Sequence, residues 1–447
     1  MKEPNVSVAI IANNEIVFEL YGEFECSCIK TKCSGKYVAK YEKGEITIKS
    51  NFEINIIENN TVFKSTNVNS DTFLLRNVLI GKDFHWQKKE NQRFQGSLKF
   101  IIENEVLTAV NIIPIENYLK SVISSEMNAT SSHELLKAHS IISRSWLLAQ
   151  MDKSVDILAS KEQYKSEIKT DDELVKWYDK EDHPLYDVCA DDHCQRYQGV
   201  TKFYAHNAQE AVANTRGMVL IYEDKICDAR FSKSCGGISE SFENVWEPIK
   251  HPYLQKIIDY KFAPEEYNLD LRKEVFAKKW IKNNPPAYCN TTDEKILSQV
   301  LVDYDRTTKD FYRWKVEYSQ SEIAELIRRK SQMDFGDIID LIPVERGYSG
   351  RLIKLKIVGT KKTLIIGKEL EIRKVLSNSH LYSSAFVVDK NDFVDGIPQK
   401  FVLTGAGWGH GVGLCQIGAA VMGEMGFSFD VILLHYFKNT TIRKIYE

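Results

Sequence analysis

The sequence has no apolar run long enough to cross a bilayer, so nothing in it reads as a membrane-spanning helix. It has no excess of charge of one sign: 59 Lys and Arg stand against 62 Asp and Glu, for a net charge of −3. A nucleic-acid binder normally carries a basic excess, so that balance argues against nucleic acid as a partner. There is no tandem repeat and no low-complexity tract. Met1-Lys2-Glu3-Pro4-Asn5 are not followed by the apolar stretch of a secretory leader. The sequence as given therefore points to the cytoplasm, and a leader outside it would point to the cell envelope instead. The nine cysteines are odd in number, which excludes complete pairing. Without a leader, reduced thiols or metal ligands are expected rather than a disulfide framework. Cys26, Cys28 and Cys33 cluster near the start, but their spacing fits no common zinc pattern and no His lies close, so the cluster reads as incidental.

What is present suits a folded protein. With 447 residues and 43% hydrophobic content, the chain can bury two or three domains, or one large domain with insertions. Residues 6–11, 15–20, 45–48 and 52–57 cluster or alternate β-branched and aromatic side chains, which predicts a β-rich region over 1–95. Turns are expected at Asn13-Asn14 and Glu42-Lys43-Gly44. Residues 98–102 and 106–112 predict a hairpin. Ile115, Leu119, Val122 and Ile123 then fall on one helical face. Ser131 with Glu134 gives a capping-box signal for a second helix carrying Leu135, Leu136, Ile142 and Ala149. Residues 151–186 are dense in charge, with Asp171-Asp172-Glu173 and Lys180-Glu181-Asp182, and read as a solvated helix and loop. Helices over 273–282 and 321–330 and strands over 352–358 and 363–366 mark an accessory lobe spanning 260–400. The expected architecture is α+β: a β-rich N-terminal part, a mixed helix and sheet core, and an α/β lobe with a groove between core and lobe.

Three patterns carry chemistry. Glu126 falls in the short loop between the two helices, and Lys137, Ser140 and Arg144 share a face of the second. A carboxyl partly enclosed by apolar helices and facing such a stripe suits general acid–base work. The plainer alternative is a solvated acid beside a helix start and cations facing water. Cys189, His193 and Cys194 offer three zinc-type ligands in a short stretch, leaving a fourth position for water or another ligand. The alternative is two small core thiols and a hydrogen-bonded His. Gly405, Gly407, Gly409, Gly411 and Gly413 fit neither nucleotide-binding glycine pattern. Alternating glycines leave one face of an extended segment bare, with Trp408 and His410 on the other, which suits a sugar ring as well as it suits close strand packing. Gly236-Gly237 after Ser234 lets backbone amides approach a substrate oxygen.

Four blocks, in order, resemble one family. They are Asn111-Ile112-Ile113-Pro114-Ile115-Glu116-Asn117-Tyr118-Leu119 with Ser125-Glu126-Met127, Leu136-Lys137-Ala138 and Arg144; then Asp187-Val188-Cys189-Ala190-Asp191-Asp192-His193-Cys194-Gln195-Arg196-Tyr197-Gln198-Gly199; then Phe231-Ser232-Lys233-Ser234-Cys235-Gly236-Gly237 with Val245-Trp246 and Pro252-Tyr253-Leu254 behind it; and last Gly407-Trp408-Gly409-His410-Gly411-Val412-Gly413-Leu414-Cys415-Gln416-Ile417-Gly418-Ala419. Together they resemble the SpoIID/LytB family over residues 96–447, and Ser349-Gly350-Arg351, Gly367, Arg373 and Leu376 extend the likeness into the lobe.

The resemblance implies a lytic transglycosylase. Such an enzyme cuts the bond between N-acetylmuramic acid and N-acetylglucosamine in peptidoglycan strands stripped of peptide. It implies Glu126 as the single acid–base, with Lys137 and Arg144 holding substrate and tuning it. Gln195, Tyr197, Ser232, Ser234, Trp408 and His410 would contact substrate, and Cys189, His193 and Cys194 would hold zinc. Cys235 and Cys415 stand where the family more often has Ser, and read as buried thiols rather than extra ligands. A second implication, from the LytB side, is a glycan-binding enhancer of a cell-wall amidase. A third reading, prompted by the missing leader, is a cytoplasmic enzyme using this fold on another sugar.

Overall fold

The computed structural model describes residues 2–26, 29–50, 53–82, 87–128, 130–159, 166–177, 183–191, 193–202, 205–301 and 308–447. Cys28 and residues 180–182 lie outside the described residues. Cys26 is disulfide-bonded rather than the reduced thiol expected, and Cys33 is buried.

The predicted β-rich start is a sheet. Alternation in Glu15–Cys26 puts Ile16, Phe18, Leu20 and Phe24 inside, where Phe18 packs with Phe63, Phe100 and Tyr37. The 11-stranded sheet runs Val188–Cys189, Asn5–Ala12, Val106–Pro114, Ser97–Glu103, Val62–Ser65, Glu15–Cys26, Ile29–Glu42, Glu45–Lys49, Ile54–Ile57, with Thr72–Ile80 and Lys88–Gln95 branching from it. The expected hairpin is present, with Val106 opposite Glu103 and Ile112 opposite Ser97. Val188 and Cys189 pair in parallel with Val8 and Ala9, so the cysteine–histidine block is fixed to the edge of this sheet.

The chain then enters α1 (Ile115–Glu126) and α2 (His133–Ala159). Ile115, Leu119, Val122 and Ile123 are buried, as their spacing predicts. The capping box at Ser131 and Glu134 does not form. Ser132 Oγ accepts from the Leu135 N–H, Ser131 Oγ donates to the Gln299 carbonyl, and Glu134 accepts from the Phe429 N–H and Lys137. Leu135, Ala138, Ile141, Ile142 and Leu147 are buried together with His139, Ser140, Ser143 and Arg144. A helix buried on every side shows only a faint polar stripe, and here the stripe is internal.

A second core of Trp314, Ile323, Ile327, Leu341, Leu355 and Phe386 falls in the 260–400 span read as a lobe, with Phe401 and Leu403 just beyond it. Its helices include Glu274–Lys282 and Gln320–Ser331, the latter with a complete Ser319/Glu322 capping box. Its five-stranded sheet runs Glu167–Lys169, Glu173–Lys176, Thr363–Gly367, Leu352–Gly359, Ile338–Arg346. Part of the stretch read as a solvated loop is thus two strands of this sheet, with Glu173 beside Ile365 in parallel. Dense charge on the exposed sides of these short strands hides their period. A third cluster of Ile238, Tyr267, Leu271 and Trp280 with Ala385, Val387 and Ala406 joins the lobe to the third sequence block. Among the described residues, no helix is long and apolar enough to cross a membrane.

Candidate functional site

Glu126 is the last residue of α1 rather than a loop residue, and it is half-buried. Its Oε1 accepts the Arg196 N–H at 3.1 Å. His139, on α2, is fully buried, with Nε2 3.1 Å from Gln416 Nε2 and Nδ1 3.2 Å from Ser143 Oγ. Burial lowers the His139 pKa from 6.5 to about 4, with the charge of Glu126 opposing the shift and that of Lys233 adding to it. The charges of Glu126 and Lys233 thus both reach His139, and Phe231 of the third block packs edge-on against its ring with centroids at 4.5 Å. Lys233 Nζ donates to the Val300 carbonyl at 2.8 Å, and its own carbonyl accepts the Ile417 N–H. Phe231 and Ser232 pair in parallel with Leu414 and Cys415. The four sequence blocks thus converge, contributing Glu126, Arg196, Lys233 and Gln416.

The His139 shift has a consequence for stability. The unfolded chain takes this proton near pH 6.5, before the folded chain does at about 4. Stability from the neutral buried imidazole is present above pH 6.5 and is lost as the pH falls towards 4, in total about 3 kcal/mol. Urea midpoints measured from pH 7 to pH 4 should fall, and His139→Gln should flatten that fall.

The cations expected to face Glu126 are engaged elsewhere. Arg144 is buried and forms a two-pronged pair with Glu116, Nε to Oε1 and Nη2 to Oε2, both at 2.8 Å, while Nη1 donates to the Met218 carbonyl. Lys137 pairs with Glu134 at 2.9 Å on the helix surface. Gln195 and Tyr197 are core residues: Gln195 Oε1 accepts from Tyr118, and Tyr197 donates to Asn111 at 2.6 Å. Ser232 and Ser234 are buried, and neither hydroxyl has a hydrogen-bond partner among the described residues.

The glycine ladder is not an extended strand. Gly407, Gly409, Gly411 and Gly413 have φ between +73° and +92°, the left-handed region that favours glycine. A Cβ on Gly411 would lie 2.3 Å from the guanidinium carbon of buried Arg351. Arg351 donates to the carbonyls of Ser234, Cys235 and Gly409, stitching the third and fourth blocks together. Trp408 and His410 consequently do not form a shared sugar platform. Trp408 packs on Phe311 and Tyr382, each with centroids at 4.5 Å, and His410 packs edge-on against Trp246.

The predicted metal ligands do come together. Cys189, His193 and Cys194 are joined by His183, and the four donor atoms lie within 4.8 Å of one another. His183 Nε2 is 3.1 Å from His193 Nδ1 and 3.3 Å from Cys194 Sγ, which is 3.4 Å from His193 Nδ1. Tetrahedral zinc with ordinary Zn–N and Zn–S lengths holds neighbouring donors roughly 3.3–3.8 Å apart. The donor set fits zinc with four protein ligands, a closed site. Its neighbours, first the Cys194 thiol and then the two imidazoles, pull the Cys189 thiol well below the usual range, favouring the thiolate that binds metal.

Comparison with known proteins finds similarity over most of the chain. Residues 103–222 match the family described as stage II sporulation protein (SpoIID), and residues 240–413 match a domain of unknown function, DUF8618. An uncharacterized protein of Brachyspira hyodysenteriae is 24% identical over 406 residues, covering 91% of this chain and 86% of that protein. Stage II sporulation protein D of Bacillus amyloliquefaciens is 24% identical over 334 residues, covering 75% of each. The amidase enhancer of Bacillus subtilis is 25% identical over 339 residues, covering 72% of this chain and 40% of that protein.

The SpoIID model covers residues 103–222, and the similarity to stage II sporulation protein D and to the amidase enhancer supports a SpoIID/LytB-type chain. Sequence reasoning missed His183, His139, Lys233 and Gln416. His183 had a usable signal, because three zinc-type ligands ask for a fourth and it stands six residues before Cys189. His139 and Lys233 had none, since only the packing of α2 against the third block brings them to Glu126.

Proposed function

We propose that this chain is a lytic transglycosylase acting on peptide-stripped peptidoglycan strands, with Glu126 as the single acid–base. The supporting observation is the convergence of Glu126, Arg196, Lys233 and Gln416, one from each of the four family blocks. The protonated Glu126 carboxyl gives its proton to the glycosidic oxygen as the bond from the N-acetylmuramic acid C1 breaks. The resulting carboxylate then takes the proton of the same sugar's C6 hydroxyl as that oxygen closes on C1. A 1,6-anhydro end forms and no water is consumed, so a second carboxylate is not required. The Arg196 N–H fixes the Glu126 carboxyl. Lys233 supplies the nearby positive charge, since Lys137 and Arg144 are engaged with Glu134 and Glu116. Substrate lies in a groove between the core of the 96–447 domain and its 260–400 lobe. Residues 1–95 complete the sheet that carries the metal loop.

His183, Cys189, His193 and Cys194 would hold zinc, which, when bound, supplies a structural clamp. The clamp sits two residues before Arg196, so it positions the amide that holds Glu126. His183→Ala is expected to weaken zinc binding by at least the roughly 10–100-fold that loss of an outer-shell partner costs. Competition against a chromophoric chelator measures this.

The test of the whole reading is digestion of purified, peptide-free glycan strands by wild type and Glu126→Gln, with mass spectrometry of the products. Anhydro-ended products from wild type alone support it. The similarity to the amidase enhancer supports a second reading, in which the chain binds glycan and stimulates a cell-wall amidase. That reading predicts glycan binding, and faster amidase turnover, with no anhydro products.

A further inference from the structure

The sequence reading set Cys235 and Cys415 aside as harmless buried thiols. The structure places them with Cys289 and Asp259 in one cluster, all donor atoms within 4.8 Å of one another and all four residues buried. We propose that Cys235, Asp259, Cys289 and Cys415 form a second, structural zinc site, distinct from the one at His183, Cys189, His193 and Cys194.

The geometry suits a single ion. Cys235 Sγ and Cys289 Sγ are 3.8 Å apart, about the separation of two thiolates on one tetrahedral zinc with Zn–S near 2.3 Å. The Cys235 N–H points at Cys415 Sγ at 3.2 Å, a donor that stabilises a thiolate. Asp259 Oδ1 accepts from the Tyr436 hydroxyl at 2.6 Å and Oδ2 from the Cys289 N–H at 2.9 Å. Each carboxylate oxygen keeps a further lone pair for a metal, and the two bonds orient it as outer-shell partners do.

Charge points the same way. Asp259 is 1% exposed, and among the described residues no Lys, Arg or His pairs with it. A buried carboxylate beside three thiols calls for a cation at its centre. Three thiolates and a carboxylate exceed a divalent ion by two negative charges, and two guanidinium groups flank the cluster. Arg351 donates to the Cys235 carbonyl and Arg313 to the Gly236 carbonyl. Gly418 completes the enclosure, because a Cβ there would lie 2.4 Å from both Asp259 Oδ1 and the Tyr436 hydroxyl. Thiolate-rich, tetrahedral and closed to solvent, the site selects zinc in a structural role.

Its position explains what it does. Lys233 stands two residues before Cys235, and Gln416 directly follows Cys415. An ion here would pin Gln416 where it meets His139, and Lys233 where its charge reaches that imidazole. The inference stands whether or not the chain cleaves glycan.

The experiment is metal counting by plasma mass spectrometry on the full chain purified under reducing conditions. Wild type should carry two zinc ions per chain, and His183→Ala/Cys194→Ala should keep one. Adding Cys289→Ala to that variant should leave none. Should Cys289→Ala fail to fold, cobalt replaces zinc in His183→Ala/Cys194→Ala, whose remaining ion should show the intense thiolate-to-cobalt absorption of a three-thiolate site. One zinc in wild type and none in His183→Ala/Cys194→Ala would overturn the proposal. So would a Cys235–Cys289 disulfide found by peptide mapping of the native protein, or a first-site variant without thiolate-to-cobalt absorption.

Discussion

Glu126→Gln is expected to lower the rate of anhydro-product formation by about 10²- to 10⁴-fold, the contribution of a positioned acid–base group. The substitution keeps the shape of the side chain and an amide oxygen that still accepts the Arg196 N–H, so the thermal midpoint should stay near that of wild type. What it removes is the proton, and both halves of the reaction use that proton. Glu126→Ala should lose activity to a similar extent but also leave the Arg196 N–H without its acceptor. Single-turnover digestion of defined glycan strands, with anhydro ends quantified, checks both. Equal rates for wild type and Glu126→Gln would remove Glu126 from the chemistry, whatever the family likeness says.

Arg144→Met is expected to destabilise the fold by roughly 3–5 kcal/mol, because removing one partner leaves the other buried and uncompensated. The side chains of Arg144 and Glu116 are 0% and 4% exposed. Glu116 also accepts from the Tyr446 hydroxyl at 2.6 Å and the Gly217 N–H at 3.4 Å, so one carboxylate ties α1 to α2 and to the end of the chain. Burial by itself would raise the Glu116 pKa, but the Arg144 pair, with help from Tyr446 and Gly217, holds it below 4.5. The unfolded carboxyl therefore takes its proton first on acidification, and the stabilisation present above pH 4.5 is lost as the pH falls through the lower folded value. Arg144→Met/Glu116→Leu should cost much less than the sum of the two single changes, since no charge is then left alone. Denaturant midpoints for the three variants measure this. A substrate-binding Arg144 would instead give a normal midpoint and a raised KM.

Arg144 shows how a family motif misleads when read residue by residue. Its place in the first block suggested contact with substrate, whereas its charge is engaged in joining two helices. Trp408 and His410 teach the same point. Alternating glycines suggested a flat strand, but positive φ at Gly407, Gly409, Gly411 and Gly413 turns the chain repeatedly and sends the two rings to different neighbours. The glycines are small because Arg351 and neighbouring backbone occupy the space a Cβ would take. Nothing in the local sequence announces an arginine more than fifty residues away.

The sequence by itself determined the α+β class, the β-rich start, the apolar face of α1 and three members of the cysteine–histidine cluster at Cys189. These rest on local periodicity and on short spacings, which act within a few residues and so survive without knowledge of the fold. Tertiary structure decided the rest. It brought His183 to Cys189, His139 and Lys233 to Glu126, and Cys235, Asp259, Cys289 and Cys415 to a single point. Apart from His183, which stands six residues before Cys189, each of those meetings joins segments whose separation along the chain carries no signal. They form because burying the large cores fixes where each helix and strand lies, and the side chains that meet there are set by packing rather than by neighbours in sequence.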